Sequence, residues 1–104
     1  MKIIFTELAW NELQDAELYY ELEIPGLGRK FREEVIKAVK RIRQYPKAWA
    51  IEKSSIRKSL LHKFPYKILY SIESDHITII AIAHQHRRPS YWVERITSWK
   101  KQVD

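Results

Sequence analysis

Histidine, arginine and aromatic side chains cluster within the twelve residues between His84 and Arg95. Imidazoles exchange protons near neutral pH, guanidinium groups bind phosphate or carboxylate oxygens, and aromatic rings stack on bases or anchor a protein partner. His84 and His86 follow an apolar run, so the cluster is predicted to lie at the end of a buried strand. We therefore expect a functional surface there. The alternative is that Tyr91 and Trp92 are core residues that open a last helix.

The same cluster limits the chemistry that the chain can perform. His84 and His86 would point to the same side of a continuing strand, but no third ligand lies nearby and cysteine is absent, so we expect no metal. Both glycines lie in one turn, which leaves no glycine-rich phosphate loop, and we expect no cofactor. Metal-independent RNA cleavage needs a base, an acid and cations, which His86, Arg87 and Lys67 could supply. Alternatively, the histidines are structural groups at a strand end.

Basic residues are concentrated in the second half of the chain. The formal net charge is +6, and residues 53–72 contain five basic residues and no acid. This segregation predicts a positive surface that attracts nucleic acid or an acidic protein, although a solvated face without a partner is the alternative. The candidate partner-binding residues are Arg57, Lys58, Lys63, Arg88, Tyr91, Trp92 and Arg95. We expect Lys63, Lys67, Arg87 and Tyr91 to share one surface of a sheet.

Length and composition predict a single domain over residues 1–104. A chain of 104 residues with 45% hydrophobic residues can bury a core without disulfides. The longest apolar run, residues 77–83, is far shorter than the roughly twenty residues of a membrane helix. We see no secretion signal after the N-terminus, and the absence of cysteine is compatible with a reducing compartment. We therefore expect a cytoplasmic protein without membrane association.

The first half of the sequence predicts a short strand and two amphipathic helices. After a strand at residues 2–5, Thr6 can cap a helix that runs from Glu7 to Glu23. A turn at residues 25–28 leads into a second helix, which Pro46 ends. The predicted inward positions are Ala9, Leu13, Ala16, Tyr20, Leu27, Phe31, Val35, Ala38, Ile42 and Tyr45. Such a hairpin needs a sheet to cover its apolar stripes.

The second half of the sequence predicts that sheet. Strands are expected at residues 56–64, 66–72 and 77–84, and a last helix at 91–102. Residues 77–84 are apolar on both sides, which is typical of a central strand. In the strand before it, four apolar or aromatic residues fall on one side. These are Tyr66, Ile68, Tyr70 and Ile72.

Several short motifs, in this order and spacing, carry a family resemblance over residues 3–95. They are Pro25-Gly26-Leu27-Gly28 with Phe31, Pro46, Arg57, Phe64-Pro65-Tyr66 with Tyr70, and His84, Arg87, Pro89, Tyr91-Trp92 and Arg95. The chain thereby resembles the RelE/ParE superfamily of toxins from bacterial type II toxin–antitoxin modules, in particular its ParE-like branch. The resemblance implies an α+β fold in which an N-terminal strand and a helical hairpin pack on a twisted antiparallel sheet of about four strands, with a short C-terminal helix. It also implies a cytoplasmic protein with a cognate antitoxin.

The resemblance leaves the cellular target open between two classes. ParE-like members poison DNA gyrase by binding it, whereas RelE-like members cut messenger RNA at the ribosome. The start of the strand at Phe64-Pro65-Tyr66 and the segment Arg88-Pro89-Ser90-Tyr91-Trp92 look like the ParE-like branch. We therefore expect a gyrase-binding toxin. The alternatives are a ribosome-dependent, metal-independent endoribonuclease and a non-toxic member that binds antitoxin and operator DNA, and either a homodimer or a hetero-oligomer with antitoxin is possible.

Overall fold

The computed structural model of the chain describes residues 1–88 and 91–95. The elements are β1 (Lys2–Phe5), α1 (Glu7–Glu23), α2 (Leu27–Gln44), β2 (Ile51–Lys53), β3 (Ile56–Leu60), β4 (Tyr66–Ile72) and β5 (His76–His84). Residues 91–95 are helical. The predicted α+β class and order of elements are confirmed. The part of the expected last helix beyond residue 95 lies outside the described residues.

The strands form one five-stranded sheet in the order β1-β5-β4-β3-β2. β1 runs parallel to β5, while the other neighbouring pairs are antiparallel. β5 lies between β1 and β4, as expected for a strand that is apolar on both sides. The sequence did not predict β2, because three residues at a sheet edge are too few for a periodic signal. β3 ends at Leu60 rather than residue 64, since the chain turns there and the Leu61 N–H donates to the Tyr66 carbonyl.

A carboxylate of α1 accepts hydrogen bonds from the turn between the two helices and so holds the helical hairpin together. The N-cap of α2 is Gly26, which has no side chain, and Glu21 of α1 accepts hydrogen bonds from the Gly26 and Gly28 N–H groups instead. The φ of Gly26 is +90°, a conformation that costs glycine little. Gly28 is needed for a different reason, because a Cβ there would lie 2.5 Å from the Glu17 carbonyl oxygen. The turn therefore requires both glycines.

The helices cover one face of the sheet and form the main core. The buried residues of this core are Ala9, Leu13, Ala16, Phe31, Val35, Ala38, Ile42, Leu61, Phe64, Ile68, Tyr70, Ile77, Ile79 and Ile82. Tyr20 and Leu27 pack against it while partly exposed. The prediction that Tyr45 faces inward is wrong: it is 60% exposed, because α2 ends at Gln44 and the φ of Tyr45 is no longer helical.

A second, smaller apolar cluster includes Trp92 from the helical turn at residues 91–95. Its buried members are Ile56, Leu69, Ile80, Ala81 and Trp92. Leu69 alternates with Ile68 and Tyr70 along β4, so this cluster lies on the face of the sheet opposite the helices. Among the residues that the structure describes, no helix is long and apolar enough to cross a membrane.

Candidate functional site

The candidate site lies where β5 extends beyond β1. β1 has four residues and β5 has nine, and their pairing ends at Phe5 and Ile79. Among the described residues, no strand pairs with the following residues of β5 on that side. Two of their main-chain groups are satisfied by side chains, since the Ile82 N–H donates to Glu12 Oε1 at 3.0 Å and the Ile80 carbonyl accepts from Arg95 Nη1 at 3.1 Å. Side chains thus occupy part of the sheet edge.

Glu12 joins three separate elements at this edge. Arg95 Nη1 and Nη2 donate to its two oxygens at 3.0 and 2.9 Å, and the Tyr91 hydroxyl donates at 3.2 Å. Such a paired, charge-assisted contact is stronger than a hydrogen bond between neutral groups. The hydrogen bond with Glu12 raises the pKa of Arg95, while burial and then the charge of Glu12 raise the pKa of Tyr91. Glu12 therefore fastens the helical turn at residues 91–95 to α1 and β5.

Tyr91 also packs against Arg87. The guanidinium carbons of Arg87 and Arg95 lie 4.3 and 4.9 Å from the centroid of the Tyr91 ring, within the range of a cation–π interaction. Arg95 is engaged by Glu12, but Arg87 is exposed and makes no ion pair with any described residue. The Arg87 guanidinium packs against the Tyr91 ring, and its N–H groups remain available to an oxyanion.

A cavity of about 300 Å³ opens between α1 and the end of β5. Its lining residues are Glu12, Asp15, Ala16 and Tyr19 of α1, Tyr66 of β4, Ile82, Ala83 and His84 of β5, and Arg87 and Tyr91. At its mouth the His86 N–H donates to His84 Nδ1 at 3.3 Å, and the two imidazole rings are 5.4 Å apart. Aromatic rings and basic side chains thus line the cavity near the end of β5, while the acidic Asp15 lines it from α1.

The structure brings together only some of the residues predicted from the sequence. His86, Arg87, Arg88, Tyr91 and Arg95 come from one segment and lie around the end of β5. Trp92 is only 1% exposed and packs in the second apolar cluster, which leaves its side chain unavailable to a partner.

Lys67 is separated from His86 and Arg87. It alternates with Tyr66 along β4 and points to the sheet face opposite the helices. It is only 4% exposed, and its Nζ lies 3.1 Å from Glu52 Oε1. The three groups considered for RNA cleavage are therefore not assembled in this structure.

The other basic residues of the second half are engaged in contacts of their own. Lys58 lies 3.6 Å from Glu52, and Lys63 lies 3.7 Å from Glu34 of α2. Arg57 donates to the carbonyls of Lys47 and Trp49 in the segment after α2. The expectation that Lys63, Lys67, Arg87 and Tyr91 share one sheet surface is wrong. Strand alternation and carboxylates from outside residues 53–72 distribute these groups over different sides.

Sequence reasoning missed Glu12, Asp15 and Tyr19. A signal for Glu12 was present, because it follows Ala9 by three positions and precedes Ala16 by four, and so borders the buried stripe of α1. A carboxylate at such a border often has a buried partner. Within residues 1–88 and 91–95, no three His, Cys, Asp or Glu side chains form a group that could hold a metal ion.

Comparison with known proteins assigns the chain to a family. The family model described as "ParE toxin of type II toxin-antitoxin system, parDE" matches residues 3–89. The chain belongs to the ParE toxin family. A similar solved structure, titled "Chromosomal ParDE TA system from P. aeruginosa", has a TM-score of 0.72 and 22% sequence identity. The match covers 81% of this chain and 95% of that chain, and shows that this ParE family member shares its fold. No curated protein matches the chain.

Proposed function

We propose that this ParE family member is a growth-inhibiting toxin that binds and poisons DNA gyrase, and that a cognate antitoxin protein neutralises it. We choose gyrase over messenger RNA as the target because Lys67 is separated from His86 and Arg87. Lys67 is buried against Glu52 on the sheet face opposite the helices. Poisoning by binding requires no assembled base, acid and cation, whereas RNA cleavage does.

The exposed end of β5 supports a binding activity. Arg87 and Arg88 are exposed, and the Arg87 guanidinium packs against the Tyr91 ring. A side chain that is ordered before binding loses less conformational entropy in the complex. The net charge of +6 favours encounter with a negatively charged target, so we expect the interaction to weaken with salt.

The test compares gyrase activity with messenger RNA integrity. Purified chain should block supercoiling of relaxed plasmid by gyrase, and induced cells should accumulate DNA breaks while their transcripts stay intact. Rapid transcript loss beside normal supercoiling would overturn the proposal in favour of a ribonuclease. Normal growth after induction, with normal supercoiling, would identify a non-toxic member.

Variants at Arg87, Arg88 and His86 distinguish gyrase binding from RNA cleavage. The double substitution Arg87→Ala and Arg88→Ala should weaken gyrase inhibition by about tenfold or more, because two exposed cations are lost. His86→Ala should change growth inhibition by no more than about twofold, whereas general acid–base catalysis by His86 would make the loss ~10² or more. A loss of that size for His86→Ala, with the fold intact, contradicts the binding mechanism.

A further inference from the structure

We propose that the second half of α2 and the segment that follows it bind single-stranded nucleic acid. Exposed cations of this surface neutralise successive phosphates, and one unpaired base enters a cavity beside the Tyr45 ring. This cavity lies at the Ile72 end of β4, whereas the cavity near Arg87 lies at the Tyr66 end. The inference goes beyond the proposed binding of gyrase and does not depend on it.

The first support is positive charge that the protein itself does not neutralise. Residues 35–51 contain five basic residues and no acid. Four of them are exposed and form no ion pair with any residue that the structure describes, namely Lys37, Lys40, Arg43 and Lys47. The fifth is Arg41, whose Nε and Nη2 are buried without a hydrogen-bond partner among the described residues. Such a concentration of charge attracts a polyanion.

The exposed cations form a row along the outer side of α2. Lys37, Lys40 and Arg43 follow one another at steps of three residues, and each step rises about 4.5 Å along the helix. Lys47 continues the row beyond the last helical residue, Gln44. Cations in the last turn of a helix also interact favourably with its dipole, but Lys37 and Lys40 precede that turn and Lys47 follows it. The dipole therefore does not account for the row, which a sugar-phosphate backbone can follow.

A cavity of about 410 Å³ opens at the end of this row. Its wall is almost entirely apolar and includes Met1, Tyr45, Pro46 and Ile72. The Tyr45 side chain is 60% exposed, so a ligand can reach its ring. Stacking on an aromatic ring suits any base, because every base has a π-face, and it needs no hydrogen-bonding groups in the wall. The cavity is thus suited to an unpaired base of any sequence.

The segment after α2 is ordered before any ligand binds. The Pro46 carbonyl accepts a hydrogen bond from the Tyr70 hydroxyl at 2.6 Å. The carbonyls of Lys47 and Trp49 accept from Arg57 Nη1 at 3.2 and 2.6 Å. A surface whose main chain is held in this way loses less conformational entropy when it binds a partner.

The arrangement of charge and ring favours nucleic acid over an acidic protein. In a single strand a phosphate lies on either side of each base, and in this chain Arg43 and Lys47 lie on either side of Tyr45. A stable protein interface needs a larger apolar centre than one small cavity. The exposed residues directly before Tyr45 are Arg43 and Gln44, which are polar and do not enlarge that centre.

The test measures binding of two labelled probes to the whole chain by fluorescence anisotropy. The probes are an oligothymidylate and an oligouridylate of about twelve nucleotides each. We expect micromolar binding that salt weakens. Tyr45→Ala should weaken binding about tenfold because the stacking surface is lost, whereas Tyr45→Phe keeps the ring and should stay within about twofold.

Two further measurements locate the probe on the surface. The double substitution Arg43→Gln and Lys47→Gln should weaken binding about tenfold or more and reduce its salt dependence. Arg29→Gln is the matched control and should stay within about twofold, because this 84% exposed arginine lies at the other end of α2. Met1 is the sole methionine of the chain and lines the cavity, so the NMR signal of its labelled methyl group should shift when a probe binds.

Several results would overturn the surface. They are no binding of either probe at millimolar concentration, unchanged binding to Tyr45→Ala, and a Met1 methyl signal that stays in place when the probe is saturating. Equal binding of a duplex would show that no base enters the cavity, and equal binding of a glutamate peptide of the same length would assign the surface to an acidic protein. Equal binding of the two oligonucleotides supports the proposal, and a preference for one of them supports it and identifies DNA or RNA as the source of the strand.

Discussion

Replacing Glu12 by alanine tests whether one carboxylate fastens the helical turn at residues 91–95. The change removes the acceptor for the Ile82 N–H, the Tyr91 hydroxyl and two N–H groups of Arg95. Hydrogen bonds to charged groups contribute about 1.5–3 kcal/mol each when one is deleted. The two side chains of the ion pair are 19% and 24% exposed, so water replaces part of what is lost. We expect the free energy of unfolding to fall by about 2–3 kcal/mol.

Urea and thermal denaturation measure this loss. For a domain of this size it corresponds to a decrease in Tm of roughly 10 °C. Asp15→Ala is the control, because this carboxylate lies one turn further along α1, is exposed and has no ion pair among the described residues. Its effect should stay within about 0.5 kcal/mol.

A double-mutant cycle distinguishes the contact from a general effect of mutating α1. Glu12→Gln and Arg95→Met are measured singly and together, which isolates the interaction between the two side chains. We expect a coupling free energy of about 1–2 kcal/mol, since the double variant leaves no charge without a partner. Additive effects, with coupling below about 0.5 kcal/mol, would refute the role assigned to Glu12.

Four further changes test the core and the hairpin. Gly28→Ala should cost about 3 kcal/mol, because its Cβ would lie 2.5 Å from the Glu17 carbonyl oxygen, whereas Gly26→Ala should cost about 1 kcal/mol from its positive φ alone. Equal losses in urea denaturation would contradict this. Burial raises the pKa of Tyr70 to about 12. The stability that the buried, neutral phenol provides is therefore complete below pH 10, and about 3 kcal/mol of it is lost as pH rises through 12. A tyrosinate absorbance titration in which every tyrosine has its midpoint near 10 would disprove this pH dependence. Phe31→Ala should lower the free energy of unfolding by about 3–5 kcal/mol, and a loss below about 1 kcal/mol would show that this ring is not in the core.

Local signals in the sequence were sufficient to predict the two helices. The predicted bounds of α1, Glu7–Glu23, are those of the structure, because the Thr6 side chain caps the first turn of the helix. The apolar period of α2 extended its stripe one residue too far, to Tyr45, since a periodic pattern does not show where helical dihedrals stop.

The candidate site depended on contacts that no local pattern reveals. Glu12 and Arg95 are 83 positions apart, and nothing in either segment identifies the other as its partner. Residues 53–72 carry no acid, yet Glu52 and Glu34 from outside this range lie against Lys67 and Lys63. The distribution of charge along the sequence therefore did not predict the distribution of charge in the folded structure.

The parallel pairing of β1 with β5 affects how the chain folds during synthesis. Hydrogen bonds that close the helical hairpin span five and seven positions, so they can form as soon as this segment leaves the ribosome. Residues 2–5, by contrast, must wait until residues 76–79 have been made. For much of translation the apolar side of the hairpin is therefore uncovered, and the nascent chain is most prone to aggregation in that interval.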